Sequence, residues 1–295
     1  MSLLSILKRF RSEHVLEWKL PPQNPAEKAR IEKLRAGIRA LPALPADTDS
    51  QAGNEWSRSR RRLRRLILRR DPRNFLNWQV VRYAMVHECQ KTELDSLKHR
   101  NDWPELENAL VETSIGNPKH YHSHPASSGN LIHHAYTLAQ FLDVFPIRPA
   151  ELNSVFEFGG GYGSFARLLR NLGFQGNYTI FDLPEFLLLQ EYFLSVAAPS
   201  FEPHFISDTA DIRPDPDLFV AMWSISETPM TLREKIWNSI GSPWHVLIGY
   251  QERFHEADNS AYFESFIKQR PQYEWVTRHI AHLPRNRYLF GKRKV

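Results

Sequence analysis

The stretch Val155-Phe156-Glu157-Phe158, followed by Gly159-Gly160-Gly161-Tyr162-Gly163, limits what this chain can fold into more than any other. An apolar run stops at four glycines within five positions, and Ser164 to Arg170 then places apolar residues at helical spacing. That layout predicts a strand, a tight loop and a helix, with backbone N–H groups brought close to a ligand at the helix start.

Two cofactors compete for the loop. Gly161, Gly163 and Ala166 meet the G-x-G-x-x-A pattern of a dinucleotide site. Glu157 followed by Gly159, Gly161 and Gly163 meets the acid plus G-x-G-x-G pattern of an S-adenosylmethionine site. The acid discriminates, because a carboxylate at the strand tip repels a pyrophosphate and attracts the cationic amino group of the methyl donor. Asp182 follows Gly163 by 19 residues, at the end of a second predicted strand, Tyr178 to Asp182. There it is placed to accept hydrogen bonds from both ribose hydroxyls of either cofactor. Its competing role is the N-cap of the helix opening at Pro184.

Further strands are read at His204–Ser207, Asp217–Trp223 and Val246–Tyr250, then a hairpin pairing Trp275–Ile280 with Tyr288–Phe290. Strands alternating with helices predict an α/β, doubly wound sheet whose ligands lie at the carboxyl ends of the strands. On that rule Leu183, Asp208, Trp223 and Ser224 border the cofactor, with Asp208 or Asp211 reaching the adenine amino group, and Glu227 is a base candidate. Ser127 to Asn130 caps a helix running to Asp143, which leads into the glycine strand. Leu131, Ala135, Leu138 and Leu142 set its buried face, His134 lies beside that face, and His133 and Tyr136 point elsewhere.

Residues 1–125 carry 23 Lys and Arg against 15 Asp and Glu, whereas the rest carries 15 against 18, so the basic excess sits in the N-terminal part. Such an excess suits nucleic acid, anionic lipid, an anionic substrate, or a solvated helical face. Residues 1–125 are therefore read as a basic helical region serving as lid, substrate platform or dimer surface, and 126–295 as the catalytic domain. Within the first, Leu3 to Phe10 reads as an amphipathic helix. A second helix follows Pro21-Pro22 and ends near Gly37, residues 41–50 form a linker, and Trp56 to Arg70 is an arginine-rich helix. Asn74 to Val86 looks buried, residues 103–115 read as helix, and the following turn with His120, His122 and His124 reads as a loop. The alternating histidines suggest zinc, but no supporting carboxylate lies near, so no metal is assigned. With one cysteine, Cys89, neither an intramolecular disulfide nor a multi-cysteine metal site is possible. Together with the lack of a signal peptide or apolar span, this fits a cytoplasmic protein.

With these residues in view the chain resembles class I S-adenosylmethionine-dependent methyltransferases, and more closely the sugar O-methyltransferase family found among bacterial polysaccharide genes. The resemblance covers roughly residues 70–292. It is carried by Phe156 to Gly163, Phe181-Asp182-Leu183-Pro184, Trp223-Ser224-Ile225-Ser226-Glu227, Asp258-Asn259 with Tyr262-Phe263, and His282-Leu283-Pro284. It implies a seven-stranded Rossmann-like sheet with an antiparallel last strand, S-adenosylmethionine as methyl donor, and a sugar or glycan hydroxyl as acceptor, free, nucleotide-linked or lipid-linked.

Glu227, His255 and His282 are then the general-base candidates, and His134, Tyr136 and Asn259 face the acceptor. Magnesium held by Glu227, Glu252 and Asp258 is compatible with the chemistry, although no compact acidic pair indicates it. A nucleic-acid amino methyltransferase is disfavoured, since Ser224-Ile225-Ser226-Glu227 stands where such enzymes carry Asn/Asp-Pro-Pro-aromatic. A dinucleotide oxidoreductase and a non-catalytic partner of an active subunit are the other readings. Peripheral membrane contact and homo-oligomerisation stay open.

Overall fold

The computed structural model describes residues 20–44 and 51–295. The expected helix over Leu3 to Phe10 and most of the linker lie outside these. Helix α1 (Pro25–Ala40) starts at a capping box formed by Asn24 and Glu27, and α2 (Gln51–Arg69) begins five residues earlier than its arginine run suggested. A short 3-10 turn, Pro72–Asn77, precedes α3 (Gln79–Met85), α4 (Lys91–Lys98) and α5 (Trp103–Ala109).

The helix expected to reach residue 115 ends at Ala109. Glu112 pairs its carboxylate with Arg167 at 2.7 Å, and its backbone N–H donates to Ala126. This buried long-range pairing holds the segment extended and overrides local helix preference. The expected histidine loop is instead a small hairpin, β1 (His120–Tyr121) with β2 (His124–Ser128).

Helix α6 (Gly129–Leu142) starts where Ser128 accepts from the Leu131 N–H, then the glycine strand follows as β3 (Ser154–Phe158). The rest alternates: α7 (Ser164–Asn171), β4 (Asn177–Phe181), α8 (Pro184–Ala197), β5 (His204–Ile206), β6 (Leu218–Met222), α9 (Met230–Ile240) and β7 (His245–Gln251). A two-residue pair, β8 (Arg253–Phe254) and β9 (Ala257–Asp258), precedes α10 (Asn259–Lys268), β10 (Tyr273–His279) and β11 (Asn286–Arg293).

The main sheet has seven strands in the order β10-β11-β7-β6-β3-β4-β5. β3 pairs in parallel with β4 and β6, while β11 runs antiparallel to both β7 and β10, as the resemblance implied. The chain winds outward through β4 and β5, then returns to add β6 and β7 on the other side of β3. The crevice between β3 and β6 is thus a topological switch point, where open α/β sheets bind ligands.

Alternation along the strands divides the core. Phe156, Phe158, Phe219 and Ile248 face Trp237, Phe263 and Phe266 of α9 and α10. Val155, Ile180, Val220 and Leu247 face the opposite layer, where Leu131, Phe165 and Leu189 join residues from Ile31 to Leu110 in one continuous core. The N-terminal helices therefore complete the same layer that covers the glycine loop.

Close approach of β3 and β4 depends on Gly176, where an added Cβ would overlap the backbone carbonyl of Asn153. Because backbone rather than a side chain blocks the space, Gly176→Ala is expected to destabilise the fold by about 1–3 kcal/mol in urea titration.

Candidate active site

The loops at the carboxyl ends of β3, β4 and β6 surround a cavity of about 540 Å³, closed from above by α2 and α3. The glycines make its floor. Gly159 and Gly161 sit at φ values of 75° and 57°, and an added Cβ at Gly159 would overlap Ser224. At Gly161 the nearest atom to such a Cβ is Met85 at 3.7 Å, so its backbone faces open cavity. Gly163, at φ 93°, is the residue that turns into α7.

Glu157 lies on the face of β3 shared with Val155. Its carboxylate accepts from the Tyr178 hydroxyl at 2.8 Å, and it lines the cavity. Burial, reinforced by the Asp182 charge, pushes its carboxyl up to about 7 against the opposing Tyr178 bond. Asp182 follows β4 at the same rim. One oxygen accepts from the Leu183 N–H and the other from Gln190 Nε2, both at 2.7 Å. Burial drives it up to about 7 as well, despite these donors. Leu183, not Asp182, is the N-cap of α8, so the capping role does not account for Asp182.

Gln190 also donates to the Gly161 carbonyl at 3.0 Å, tying the acid to the glycine loop. Sequence reasoning missed it. The signal available was slight, a polar residue, Gln190, directly after the apolar run Phe186-Leu187-Leu188-Leu189.

Across the cavity, Trp223 takes φ 63° and fixes its indole N–H on Asn286 at 2.7 Å. The Ser224 hydroxyl donates to the Phe158 carbonyl, locking β6 to β3 at the rim. Glu227 lines the far wall, accepts from Gln251 at 3.2 Å, and is pushed by burial up to about 7.

His134 lines the cavity, and its buried Nδ1 has no partner among the described residues. Burial keeps it neutral, well below the ordinary histidine range.

The other residues expected at the site lie elsewhere. Asp208 is exposed and accepts from the Ala210 N–H outside the cavity lining, and Asp211 is likewise exposed and outside it. Asn259 is fully buried and bonded to Arg233, Ser226 and Gln251, bracing the loop after β6. Tyr136 packs edge-on against His282, with ring centroids 5.4 Å apart. His282 donates its Nε2 to Glu93, 2.7 Å away, and neither ring lines the cavity. His255 is bonded to Glu55 at 2.8 Å, at the cavity mouth next to the lining residue Phe254.

His133, expected to point away from the buried face of its helix, is 1% exposed. It bonds Glu93 at 2.7 Å, stacks on His87 and packs at a tilt against Trp223. A buried carboxylate outcompetes solvent for it, and α6 is consequently buried around more of its circumference than the leucine spacing indicated.

Helix α2 contributes Glu55, Trp56 and Arg60 to the cavity, which the sequence did not reveal. Arg60 and Arg64 converge on the fully buried Glu185, and Arg62 donates to Gln79. Those arginines are thus fastened to the protein's own groups. Among the described residues no cluster of three or more His, Cys, Asp or Glu is arranged to hold a metal, and no helix is long and apolar enough to cross a membrane. Glu252 pairs with Arg287, and Asp258 accepts from Ala261 at the start of α10.

No protein-family model matches this chain, and no curated protein matches it in sequence. Solved structures with a similar chain path include methyltransferases with different substrates. Magnesium protoporphyrin IX methyltransferase from Synechocystis, solved with bound S-adenosylhomocysteine, is 11% identical, covers 69% of this chain and 99% of its own, and has a TM-score of 0.42. A precorrin-6y methyltransferase from Geobacter metallireducens is 13% identical over 60% of this chain and 94% of its own, at 0.39. An O-methyltransferase family protein from Burkholderia thailandensis is 16% identical over 55% and 59%, at 0.38. Likeness at this level is one of chain path alone, and chemistry has to be argued from the side chains.

Proposed function

We propose that the chain is an S-adenosylmethionine-dependent O-methyltransferase acting on a hydroxyl of a sugar or glycan, in bacterial polysaccharide synthesis within the cytoplasm. One observation carries the cofactor reading: two carboxyls, Glu157 and Asp182, stand on adjacent strand ends beneath a glycine loop and within one cavity. Asp182 keeps unused lone pairs for the ribose hydroxyls, because Leu183, Gln190 and the Gly160 N–H occupy only part of a carboxylate's capacity. Glu157 offers negative charge to an ammonium group, while the open backbone at Gly161 allows close approach. The sugar acceptor is supported by the resemblance in Trp223 to Glu227 and in the terminal turn.

When bound, the cofactor supplies a methyl group already activated by the positive sulfur. The protein's share is to align an acceptor oxygen, exclude water and accept its proton. Alignment alone is worth effective molarities of about 10⁵ M or more. Glu227 is the base best placed for this, since a carboxyl near 7 in the cavity wall takes up a proton near neutrality. Neither His255 nor His282 is among the residues that line the cavity.

The arginines of α2 bear on the nucleic-acid alternative. Arg60 and Arg64 neutralise Glu185 inside the fold, which leaves them unavailable to phosphates.

Calorimetry with S-adenosylhomocysteine and with NAD, each in two buffers of different ionisation enthalpy, tests the cofactor reading. An ammonium near Glu157 favours its charged form, so binding of S-adenosylhomocysteine should release protons at pH 7, and affinity should rise from pH 6 to pH 8. A pyrophosphate beside Glu157 would have the opposite sign, taking protons up. Heat with NAD alone, or proton uptake with S-adenosylhomocysteine, would sink the proposal.

A further inference from the structure

A second cavity, of about 260 Å³, adjoins the first and shares Val86, His87 and Tyr162 with it. The shared wall is built rather than incidental. Asn130, 3% exposed, accepts from the His87 backbone N–H at 2.8 Å and donates to the Tyr162 hydroxyl at 3.1 Å. The outer rim is also held in place. Gly116 and Asn117 take φ values of 80° and 54°, Asn77 donates to the Asn117 carbonyl at 2.7 Å, and the His120 ring is anchored on the Pro125 carbonyl.

The two cavities differ in charge. Glu55, Glu157, Asp182 and Glu227 line the first, where the only lysine or arginine among the described residues, Arg60, is bound to Glu185. Arg82, Lys119, His120 and His122 line the second; among the described residues its one carboxylate, Glu88, pairs with Arg82 at 3.0 Å, which leaves Lys119 as the cation that no carboxylate offsets. Lys119 has no acidic partner among the described residues. An acid-lined cavity suits a cationic methyl donor, and a base-lined one beside it suits an anion, with the opposite charges kept in separate spaces. Methyl transfer also requires that the acceptor oxygen reach the donor, so an acceptor site must open into the cofactor cavity.

We propose that this second cavity is the acceptor site and that it takes a saccharide bearing a carboxylate or phosphate group. The proposal rests on the methyltransferase reading, which it deepens by naming the acceptor's charge. In this arrangement Lys119 would hold the anionic group, and the reacting end of the saccharide would have to reach past the shared residue His87 into the cofactor cavity.

The test is calorimetry on the full chain saturated with S-adenosylhomocysteine, using a hexuronic-acid disaccharide, a hexose 6-phosphate and a neutral disaccharide. At least one charged probe is expected to bind about tenfold or more tighter than the neutral one, the scale of a charge-assisted contact. Lys119→Glu should remove that advantage and Lys119→Arg should keep it. Because Lys119 is exposed, both variants should retain the circular dichroism of the parent chain. Binding of the carboxylate probe alone assigns a sugar acid, and binding of the phosphate probe alone assigns a phosphorylated sugar. The proposal is overturned if neither charged probe binds, if the neutral probe binds as tightly, or if Lys119→Glu changes nothing. Should S-adenosylhomocysteine fail to bind, the methyl-donor reading is refuted, and the same titrations on the ligand-free chain decide whether the anion site stands.

Discussion

Glu93→Ala is expected to destabilise the protein by about 3–5 kcal/mol, the cost of losing two hydrogen bonds to one buried carboxylate. Glu93 is fully buried on α4, and its Oε1 receives both His133 Nδ1 of α6 and His282 Nε2 of the β10–β11 turn, each at 2.7 Å. Its other oxygen accepts from the Gln90 backbone at 3.1 Å, completing the start of α4. Burial pushes this carboxyl up, but the bonds from His133 and His282 together outweigh it and hold it below the usual glutamate range. One side chain thus fastens an N-terminal helix, the helix leading into the glycine strand and the sheet's last turn. Removing it leaves the buried His133 N–H and the partly buried His282 N–H without their acceptor, which is the costly side of the exchange. Urea unfolding followed by far-ultraviolet circular dichroism measures the loss. Glu93→Gln, which keeps one acceptor oxygen, is expected to lose less. A loss under 1 kcal/mol for Glu93→Ala would show that water or another group serves the two histidines equally well.

Glu93 also marks where the sequence stopped being informative. What was legible was local: the strand-to-glycine transition at Phe158, the Ser128 cap of α6, and the distance from Gly163 to Asp182 all depend on residues close in sequence. Their chemistry follows from backbone geometry and period. The roles of His282, His255 and Asn259 depend on partners contributed from far away in the chain. His282 meets a carboxylate 189 residues earlier, and His255 meets one 200 residues earlier. No spacing rule encodes such pairings, so the sequence cannot say whether a histidine beside a predicted rim loop faces the cavity or a distant carboxylate. Helix α2 illustrates the same point in reverse. Its arginine run reads as a solvated or phosphate-binding face, yet Glu185, placed on α8 only three residues after Asp182, draws Arg60 and Arg64 inward. The consequence for the site is direct, because that ion cluster holds Trp56 and Glu55 over the cavity.

Asp182→Ala is expected to weaken S-adenosylhomocysteine binding by about 1.5–3 kcal/mol, roughly 10- to 150-fold in Kd, as charge-assisted hydrogen bonds to the ribose are lost. The carboxylate is preorganised to receive those hydroxyls. Leu183 and Gln190 fix both oxygens from the protein side, and the Asp182 backbone N–H is itself held by the Ile206 carbonyl of β5. The pH dependence separates this role from a merely structural one. A carboxyl raised to about 7 in the ligand-free protein, well above its unfolded value of about 3.9, lowers folding stability progressively as pH rises from about 4 through 7, since the folded state must give up a proton it prefers to keep. Ribose hydroxyls donating to the charged form reverse that preference, so the parent chain should gain affinity as pH rises towards 7 and beyond. In Asp182→Ala the slope should shrink to the part due to Glu157, and ligand-free stability near pH 7 should fall less than a lost buried contact would predict, or rise. Unchanged affinity with an unchanged pH slope would place the ribose away from β4 and remove the main support for an adenosine cofactor in this cavity.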